Sequence, residues 1–433
     1  MKIRHAVSAV ALAAALLLGA PAFASPGSEL LDKIAGDFVR MTLEAGEREP
    51  GYVDAYYGPR EYLTAAKVAP RPVYLLRKEA DRLQQLLAHV PDKQLTPDQR
   101  RRKLFLKGQL RAAQTRLAMI AGDKFSFEDE AQGLFGVRPV IKPLKSYDPI
   151  LARIDKLVPG KGDLAARVDA FQNQYVIPTD KVEAVMQAGI AACKAKTEQH
   201  IKLPAGERFD LEFVTKKPWS GYNWYKGGAH SLIQINTDLP IYISRALDLG
   251  CHEGYPGHHV LNALLEEKLT KGKGWVEFSV YPLFSPQSLI AEGSANFGIE
   301  LAFPGQAKTA FERDKLYLLA GLDPKTAKAY GELQEAKGAL SSSGNTVAAE
   351  YLGGRMTKEQ AVLALMKYGL YSRGAAEKRV SFIETYRSYV INYNIGQDMV
   401  RAHVHRAGKT EDARWKAMER VISEPTTPAD LAK

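Results

Sequence analysis

Cysteine is scarce in this sequence, and several common functional signatures are missing. The 433 residues include only 2 cysteines, Cys193 and Cys251, and no CxxC pair. A zinc site built from thiolates and a thioredoxin-like redox centre are therefore not expected. The sequence also has no GxSxG elbow, no Walker loop and no GxGxxG turn after a strand. These absences argue against a serine hydrolase, a nucleotide hydrolase and a dinucleotide-binding enzyme.

Strong charge patterning is missing as well. The net charge is +10, but the basic residues are scattered along the chain, apart from the run RRRK at 100–103. No nucleic-acid-binding motif accompanies them. We interpret the charge as a solvated, mildly basic surface and expect no nucleic-acid partner. A hydrophobic content of 45% and a charged content of 25% are ordinary for a globular protein.

Only the N-terminus contains a long apolar run. Lys2 and Arg4 precede the segment AVSAVALAAALLLGA, and Ala22 and Ala24 occupy the small-residue positions of a cleavage site. This pattern predicts a signal peptide at 1–24 and an exported protein, either periplasmic or secreted. A membrane anchor is the alternative, but the apolar run is short for a span, so no integral membrane segment is expected after cleavage. Export would permit one disulfide between the two cysteines, although two buried free thiols fit the sequence equally well.

Hydrophobic spacing predicts a mainly α-helical fold, in which one small antiparallel or mixed β-sheet precedes the candidate site. Apolar residues recur at helical intervals through much of the N-terminal helical region, 25–205. The stretches 208–219 and 222–239 are rich in β-branched and aromatic residues, which favours two or three strands with glycine-rich turns. Helical spacing then returns and includes one long helix near 373–406. We assign the sheet and these later helices to a catalytic region, 206–433, which forms one structural unit with the first region around a cleft.

The segment CHEGYPGHH (251–259) is the main candidate for chemistry. A histidine followed by glutamate begins many zinc-hydrolase helices, in which the second histidine stands four residues after the first. Here that position is Pro256. On a straight helix neither His258 nor His259 could share an ion with His252, because the rise would be about 9 to 10.5 Å. The proline and the glycine after it predict a bulge or break. We favour His258 as the second ligand because that glycine directly precedes it, and His259 is the alternative.

A third metal ligand is expected from a following helix. The segment LIAEGSANFGIEL (289–301) offers Glu292, followed by small residues that would let this helix approach the histidines closely. A buried carboxylate beside buried histidines is unfavourable without a cation, so the two features support each other. A solvated histidine-rich loop and an ordinary surface carboxylate are the alternatives. Two histidines and one glutamate match the usual ligands of catalytic zinc.

The same segments resemble a known family. HEGYPGHH, AEGSANF and YVINYNIGQ (389–397) are similar to motifs of the bacterial domain-of-unknown-function family 885. Typical members show HE-x-x-PGHH, EGWALY and a Tyr-x-x-Gly near the C-terminus, and GYVDAYYGP near the N-terminus is similar to one branch of that family. The resemblance implies a large helical, metallopeptidase-like architecture with one Zn²⁺ per chain.

Position by position, the resemblance implies His252, His258 and Glu292 as metal ligands. Glu253 would be the general base, which takes a proton from the attacking water and delivers it to the leaving amine. Tyr393, in YNIG, corresponds to the tyrosine that family members have near the site.

A tetrahedral oxyanion would need a second donor besides the metal. Tyr393 is the first candidate for this donor, and His230, in GGAHSLIQIN, is the second. A core aromatic residue and a surface histidine at a strand end are the respective alternatives. The chain departs from the family where Ser294 replaces a usual tryptophan and Phe297 replaces a usual tyrosine, which puts its substrate preference in question.

These features together predict an exported zinc-dependent peptidase whose substrates are peptides. The strand SLIQIN (231–236) could pair with an extended substrate backbone as an edge strand, or it could lie inside the sheet. A metal-dependent hydrolase of another amide or small molecule is an alternative hypothesis. A second alternative is a binding protein that kept the fold and lost the activity. Neither the bond specificity nor the oligomeric state follows from the sequence.

Overall fold

The structure is a computed structural model that describes residues 25–217 and 219–433. The predicted signal peptide, 1–24, lies outside these described residues. None of the described helices is both long and apolar enough to cross a bilayer. The predicted mainly helical fold is confirmed, since helices account for most of the described chain and the strands form two small sheets.

Many helices begin where a side chain caps the first turn. At Ser25 and Thr96, for example, the hydroxyl accepts a hydrogen bond from a backbone N–H of the first turn, which would otherwise lack a partner. The α-helices, in chain order, are α1 (Pro26–Arg48), α2 (Arg60–Val68), α3 (Val73–His89), α4 (Pro97–Ile120), α5 (Phe127–Phe135), α6 (Asp148–Leu157), α7 (Leu164–Gln172), α8 (Val182–Glu198), α9 (Ser244–Leu249), α10 (His258–Leu265), α11 (Pro286–Ala302), α12 (Ala307–Phe311), α13 (Tyr317–Ala320), α14 (Ala327–Gly338), α15 (Ser343–Leu352), α16 (Lys358–Gly369), α17 (Arg373–Tyr386), α18 (Ile395–Ala407), α19 (Glu411–Ser423) and α20 (Pro428–Ala432).

A three-stranded mixed sheet precedes the candidate site, as predicted. The strands of the protein are β1 (Val53–Tyr56), β2 (Arg208–Val214), β3 (Gly221–Gly227), β4 (His230–Asn236) and β5 (Val280–Pro282). β4 lies in the middle of the three-stranded sheet, parallel to β2 and antiparallel to β3. β1 and β5 form a second, antiparallel pair. The sequence gives no clear signal for this pair, because its strands are very short and far apart in the chain.

Two large hydrophobic clusters form most of the core. One surrounds the three-stranded sheet together with helices α8 to α11. The other contains Leu31 and Leu106 from the N-terminal helices and Val347 and Ile383 from α15 and α17. The two predicted regions therefore share a core, and the boundary between them near residue 205 stays a prediction.

The predicted long helix over 373–406 is interrupted. A 3₁₀ segment, Arg387–Tyr393, separates α17 from α18. At its start Arg387 adopts a left-handed backbone conformation, with φ of 54°. The buried carboxylate of Glu130 accepts hydrogen bonds from the Arg387 Nε at 2.7 Å and from the Ser388 backbone N–H at 3.0 Å. This contact with α5 overrides the helical spacing of the sequence, and it carries the chain from the end of α17 into the candidate site.

The two cysteines are joined. Cys193 in α8 and Cys251 form a buried disulfide, which is one of the two alternatives that the sequence left open. It ties α8 to the segment that carries His252.

Candidate metal centre

The chain breaks its helix at the position where the sequence predicts an interruption. α9 continues into a π-helical turn, Gly250–Gly254, which carries His252. A cis peptide bond precedes Pro256, and α10 then begins at His258. A Cβ atom at Gly257 would lie 1.8 Å from the backbone oxygen of His252. Only glycine fits at this point of the turn, and the break turns His258 back toward His252.

Three side-chain atoms meet next to this turn. His252 Nε2 lies 3.2 Å from His258 Nε2. Glu292 Oε2, from α11, lies 3.3 Å from the first nitrogen and 3.7 Å from the second. Ligands at about 2.1 Å from a tetrahedral zinc ion are about 3.4 Å apart. The three atoms therefore have the spacing of three corners of a tetrahedral zinc site.

The burial of Glu292 supports this fit. Its Oε2 is buried, makes no hydrogen bond of good geometry and has the two imidazole nitrogens as its neighbours, so a cation among the three atoms would satisfy this acceptor. Among the described residues, these three form the one group of three or more His, Cys, Asp or Glu residues whose ligand atoms all lie within 4.8 Å of one another.

Two polar residues orient the cluster, and the sequence analysis missed both. Asn296 Oδ1 lies 2.9 Å from His252 Nδ1, which fixes Nδ1 as the donor and leaves the Nε2 lone pair facing the cluster. The Tyr389 hydroxyl donates a hydrogen bond of 2.8 Å to Glu292 Oε1. Asn296 follows Glu292 by four residues and Tyr389 precedes Tyr393 by four. The spacing of four residues on one face of α11 was the available signal for Asn296, whereas Tyr389 lies in a 3₁₀ segment, where this spacing does not place two residues on one face.

The charges of the three side chains compensate one another. Burial lowers the pKa of His258, but the neighbouring Glu292 carboxylate outweighs this effect and raises it to about 9. Burial alone would raise the pKa of Glu292, but the two imidazoles hold it well below its usual value. The carboxylate is therefore ionised, and His258 carries a proton that a metal ion would displace.

His259 does not join this cluster. Its Nδ1 lies 2.8 Å from the Ser231 hydroxyl, and its Nε2 lies 2.8 Å from a carboxylate oxygen of Glu207. Glu207 also accepts hydrogen bonds from Lys194 and from the Tyr255 hydroxyl. Burial opposes ionisation of Glu207, but the hydrogen bonds from its three partners lower its pKa to about 2. His259 thus links α10 to the sheet, whereas His258 faces Glu292.

The structure corrects the prediction about His230 and decides between the two alternatives for β4. His230 lies at the start of the strand, where it pairs with Asp210 at 2.8 Å, whereas the opposite end, at Asn236, lines the cleft. His230 is therefore remote from the cluster and does not serve as the predicted oxyanion donor. β4 is also the central strand of its sheet and has no free edge. β3 is an edge strand of that sheet, and its first residues, 221–223, line the cleft.

Glu253 and Tyr393 line the same cleft, which has a volume of about 570 Å³. Glu253 is buried, and its backbone oxygen accepts a hydrogen bond of 2.8 Å from the Asn223 side chain. A Cβ atom at Gly221 would lie 3.0 Å from Glu253 Oε1. The glycine at the start of β3 therefore leaves room for this carboxylate beside the strand.

The short strand β1 adds a carboxyl group that the sequence analysis did not assign. Asp54, from the GYVDAYYGP stretch, lines the cleft and accepts a hydrogen bond from the Tyr222 hydroxyl. Burial raises the pKa of Asp54 to about 6, against the effect of this hydrogen bond. The aromatic N-terminal stretch is thus part of the cleft wall.

Of the small residues that follow Glu292, Gly293 has a different role from the predicted one. Gly293 faces Gly396 of α18, and a Cβ atom there would lie 2.4 Å from the Gly396 backbone. Gly298 instead packs against Pro256, where an added Cβ atom would lie 2.9 Å from the proline ring. Gly298 therefore contributes to the close approach of α11 to the histidine turn.

Comparison with known proteins defines the fold but no family. No protein-family model and no curated protein matches the chain. A crystal structure of a candidate lipoprotein from Colwellia psychrerythraea matches with a TM-score of 0.53 and 14% identity, over 82% of this chain and 65% of that one. The chain thus spans less than two thirds of that protein's length, and the similarity shows a shared fold.

Two further solved structures match with lower scores. One is a candidate lipoprotein of unknown function from Shewanella oneidensis, with a TM-score of 0.48 and 14% identity over 86% of this chain and 75% of that one. The other is an M32 carboxypeptidase from Deinococcus radiodurans R1, with a TM-score of 0.38 and 12% identity over 91% of this chain and 89% of that one. Both scores are too low to define a fold relationship.

Proposed function

We propose that the protein is an exported, zinc-dependent peptidase that hydrolyses peptide bonds. The observation that carries the proposal is the spacing of His252 Nε2, His258 Nε2 and Glu292 Oε2, which matches three ligands of one tetrahedral ion. The burial of this Glu292 oxygen, without a hydrogen bond of good geometry, supports the presence of a cation. Export is supported by the signal-like sequence at 1–24 and by the disulfide, which is typical of oxidising compartments.

Glu253 is the proposed general base. Zinc held by the three ligands would supply a Lewis acid that acidifies water and polarises a substrate carbonyl group. Glu253 lies in the same turn as His252 and lines the same cleft. Its carboxylate accepts the proton of the attacking water and returns it to the leaving amine.

Tyr393 is the proposed donor to the oxyanion. Burial, reinforced by the nearby Glu292 carboxylate, raises the pKa of Tyr393 well above its usual value. The phenol therefore keeps its proton at neutral pH and can donate a hydrogen bond to a developing negative charge. Of the two tyrosines in YVINYNIGQ, Tyr389 already donates to Glu292, so Tyr393 is the candidate donor of this segment.

β3 is the strand on which a substrate backbone would lie. It is an edge strand of its sheet, and its cleft end passes beside Glu253. An extended peptide can add to such an edge through backbone hydrogen bonds. This feature favours a peptide over a compact small molecule as the substrate.

Metal analysis and a peptide library test the proposal. Purified protein should contain about one zinc ion per chain by mass spectrometry, and it should cleave members of the library. Glu253→Gln should keep the zinc and lose roughly 10²- to 10⁴-fold in kcat. Glu300→Gln, on the outer part of α11 and paired with Arg401, should retain full activity.

The outcomes separate the three hypotheses. Cleavage that persists in Glu253→Gln contradicts the role of this residue as base. Zinc without cleavage of any peptide favours a hydrolase of another amide or small molecule. A protein that neither binds zinc nor cleaves peptides is the binding protein of the second alternative.

A further inference from the structure

One face of α17 lines the cleft opposite the chemistry. Ala375, Arg379, Phe382 and Tyr386 border the cavity, at the three- and four-residue intervals of a single helix face. Lys378 borders it as well. Packing accounts for the apolar and aromatic members of this face, whereas two adjacent cations need another explanation.

Neither cation forms an ion pair with a carboxylate of the described residues, although Asp238 lies close enough to Lys378 to interact with its charge. Arg379 is half-buried, and its guanidinium lies over the Phe382 ring, 5.0 Å from the centroid, with no ion pair to a described carboxylate. Arg373, at the exposed start of the same helix, instead pairs with Glu359. A guanidinium has five N–H donors, and withdrawing it partly from water without an acceptor is unfavourable. Such a group in a cleft wall indicates an anionic ligand.

A series of aromatic contacts links Arg379 to the metal centre. The ring centroids of Phe382 and Tyr393 lie 6.1 Å apart, and those of Tyr393 and Tyr389 lie 5.9 Å apart. The Tyr389 hydroxyl in turn donates to Glu292. An extended peptide advances about 3.3 Å per residue, so a substrate bound at the metal centre would reach the guanidinium within a few residues.

We propose that Arg379, assisted by Lys378, binds a carboxylate of the peptide substrate a few residues from the cleaved bond. The inference rests on the proposed peptidase function and adds a substrate class to it. A guanidinium matches a carboxylate with two parallel hydrogen bonds, and partial burial strengthens them. The carboxylate is either the free C-terminus of the peptide or an acidic side chain. The first source leads to release of short C-terminal fragments, and the second to cleavage near acidic residues.

Three matched peptides distinguish these sources. They share one sequence and end in a free acid, in an amide, or in an amide with a glutamate near the end. Binding is measured by calorimetry on zinc-loaded Glu253→Gln protein, in which turnover is blocked, and hydrolysis is measured on the wild type. We expect one of the two charged peptides to bind roughly 10- to 100-fold more tightly than the neutral amide.

Variants of α17 then assign the effect. Arg379→Gln should abolish the preference and raise KM for the charged peptide, with kcat for the neutral amide little changed. Arg379→Lys should restore part of the preference, because it keeps the charge but loses the paired hydrogen bonds. Arg373→Gln, on the same helix, should behave as the wild type. Circular dichroism verifies that each variant is folded. Should Arg379→Gln fail to fold, Lys378→Gln replaces it, and this variant should lose a smaller part of the preference for the charged peptide.

Equal binding of the three peptides, binding of none of them, or an unchanged preference in Arg379→Gln would overturn the inference. Because binding is measured without turnover, this result does not depend on catalysis. A wild type that binds the charged peptide selectively but cuts none of the three would instead count against the proposed peptidase function alone.

Discussion

Replacing Glu292 with glutamine perturbs the proposed metal centre with little change of shape. The substitution removes the negative charge and replaces the oxygen that faces both imidazoles, 3.3 Å from His252 Nε2 and 3.7 Å from His258 Nε2, with an amide NH₂ group, which cannot bind a metal ion. Tyr389 can still donate to the other side-chain oxygen, so the helix and the cleft should persist. The expected effect is therefore a loss of zinc affinity without loss of the fold.

The structure sets the size of this loss. Removing one member of a buried charged pair costs about 3 to 5 kcal/mol, which corresponds to a loss of affinity of roughly 10² to 10³-fold or more. One effect opposes it. Glu292 raises the pKa of His258 to about 9, so zinc must displace a proton from the wild-type site at neutral pH. The proton competes less strongly with zinc in the variant. We therefore expect the loss of zinc affinity to lie at the lower end of this range, at about 100-fold.

Competition with a chromophoric chelator at neutral pH measures this affinity directly. Glu300→Gln provides the matched control, because Glu300 lies two turns further along α11 and pairs with Arg401 at the surface. Its zinc affinity should equal that of the wild type. If Glu292→Gln and Glu300→Gln bind zinc equally well, Glu292 is not a ligand and the proposed centre is wrong.

Two further predictions concern the packing around the centre. Hydrogen bonds outweigh burial and lower the pKa of Glu207 to about 2. The contribution of its carboxylate to the free energy of unfolding should therefore be complete above pH ~4.5 and vanish as the pH falls toward ~2. Glu207→Gln should thus be about 1 to 2 kcal/mol less stable than the wild type at neutral pH, after allowance for screening, and should approach it near pH 2 in urea titrations. The exposed Glu212→Gln should lack this dependence, and a constant difference across the pH range would contradict the assignment. Gly293→Ala should lower stability by about 2 to 3 kcal/mol, because the new Cβ would meet the backbone of Gly396. Gly344→Ala, with open space around it, should not lower stability, and equal Tm values for the two variants would refute the packing argument.

Several properties of this protein could be predicted because they depend on neighbouring residues alone. Helical spacing of apolar residues and capping residues such as Thr96 define helices locally, and β-branched and aromatic runs define the strands before the site. The interruption at Pro256 and Gly257 was predictable for the same reason, since each residue restricts or frees its own backbone. The proximity of His252, His258 and Glu292 agrees with the expected ligand set, and their binding of zinc stays a prediction.

Other properties depend on residues that are distant in the chain. Glu130 interrupts the helix expected over 373–406, and no local signal near Arg387 reveals a carboxylate supplied by α5. The partners of His259 likewise come from Glu207 and from the strand β4. A lone sequence shows which residues are able to bind a metal or donate a hydrogen bond, but it does not show which of them meet.

The sequence by itself determined the helical class of the protein, the broken turn and the residue types available for metal chemistry, because local backbone preferences and side-chain chemistry are properties of short segments. Only the tertiary structure decided that His258 and not His259 faces Glu292, that β4 is the central strand of its sheet and β3 an edge strand, and that Asp54 and Arg379 belong to the cleft. These outcomes follow from the packing of elements up to several hundred residues apart, where burial and hydrogen bonding select one partner among many that are chemically equivalent.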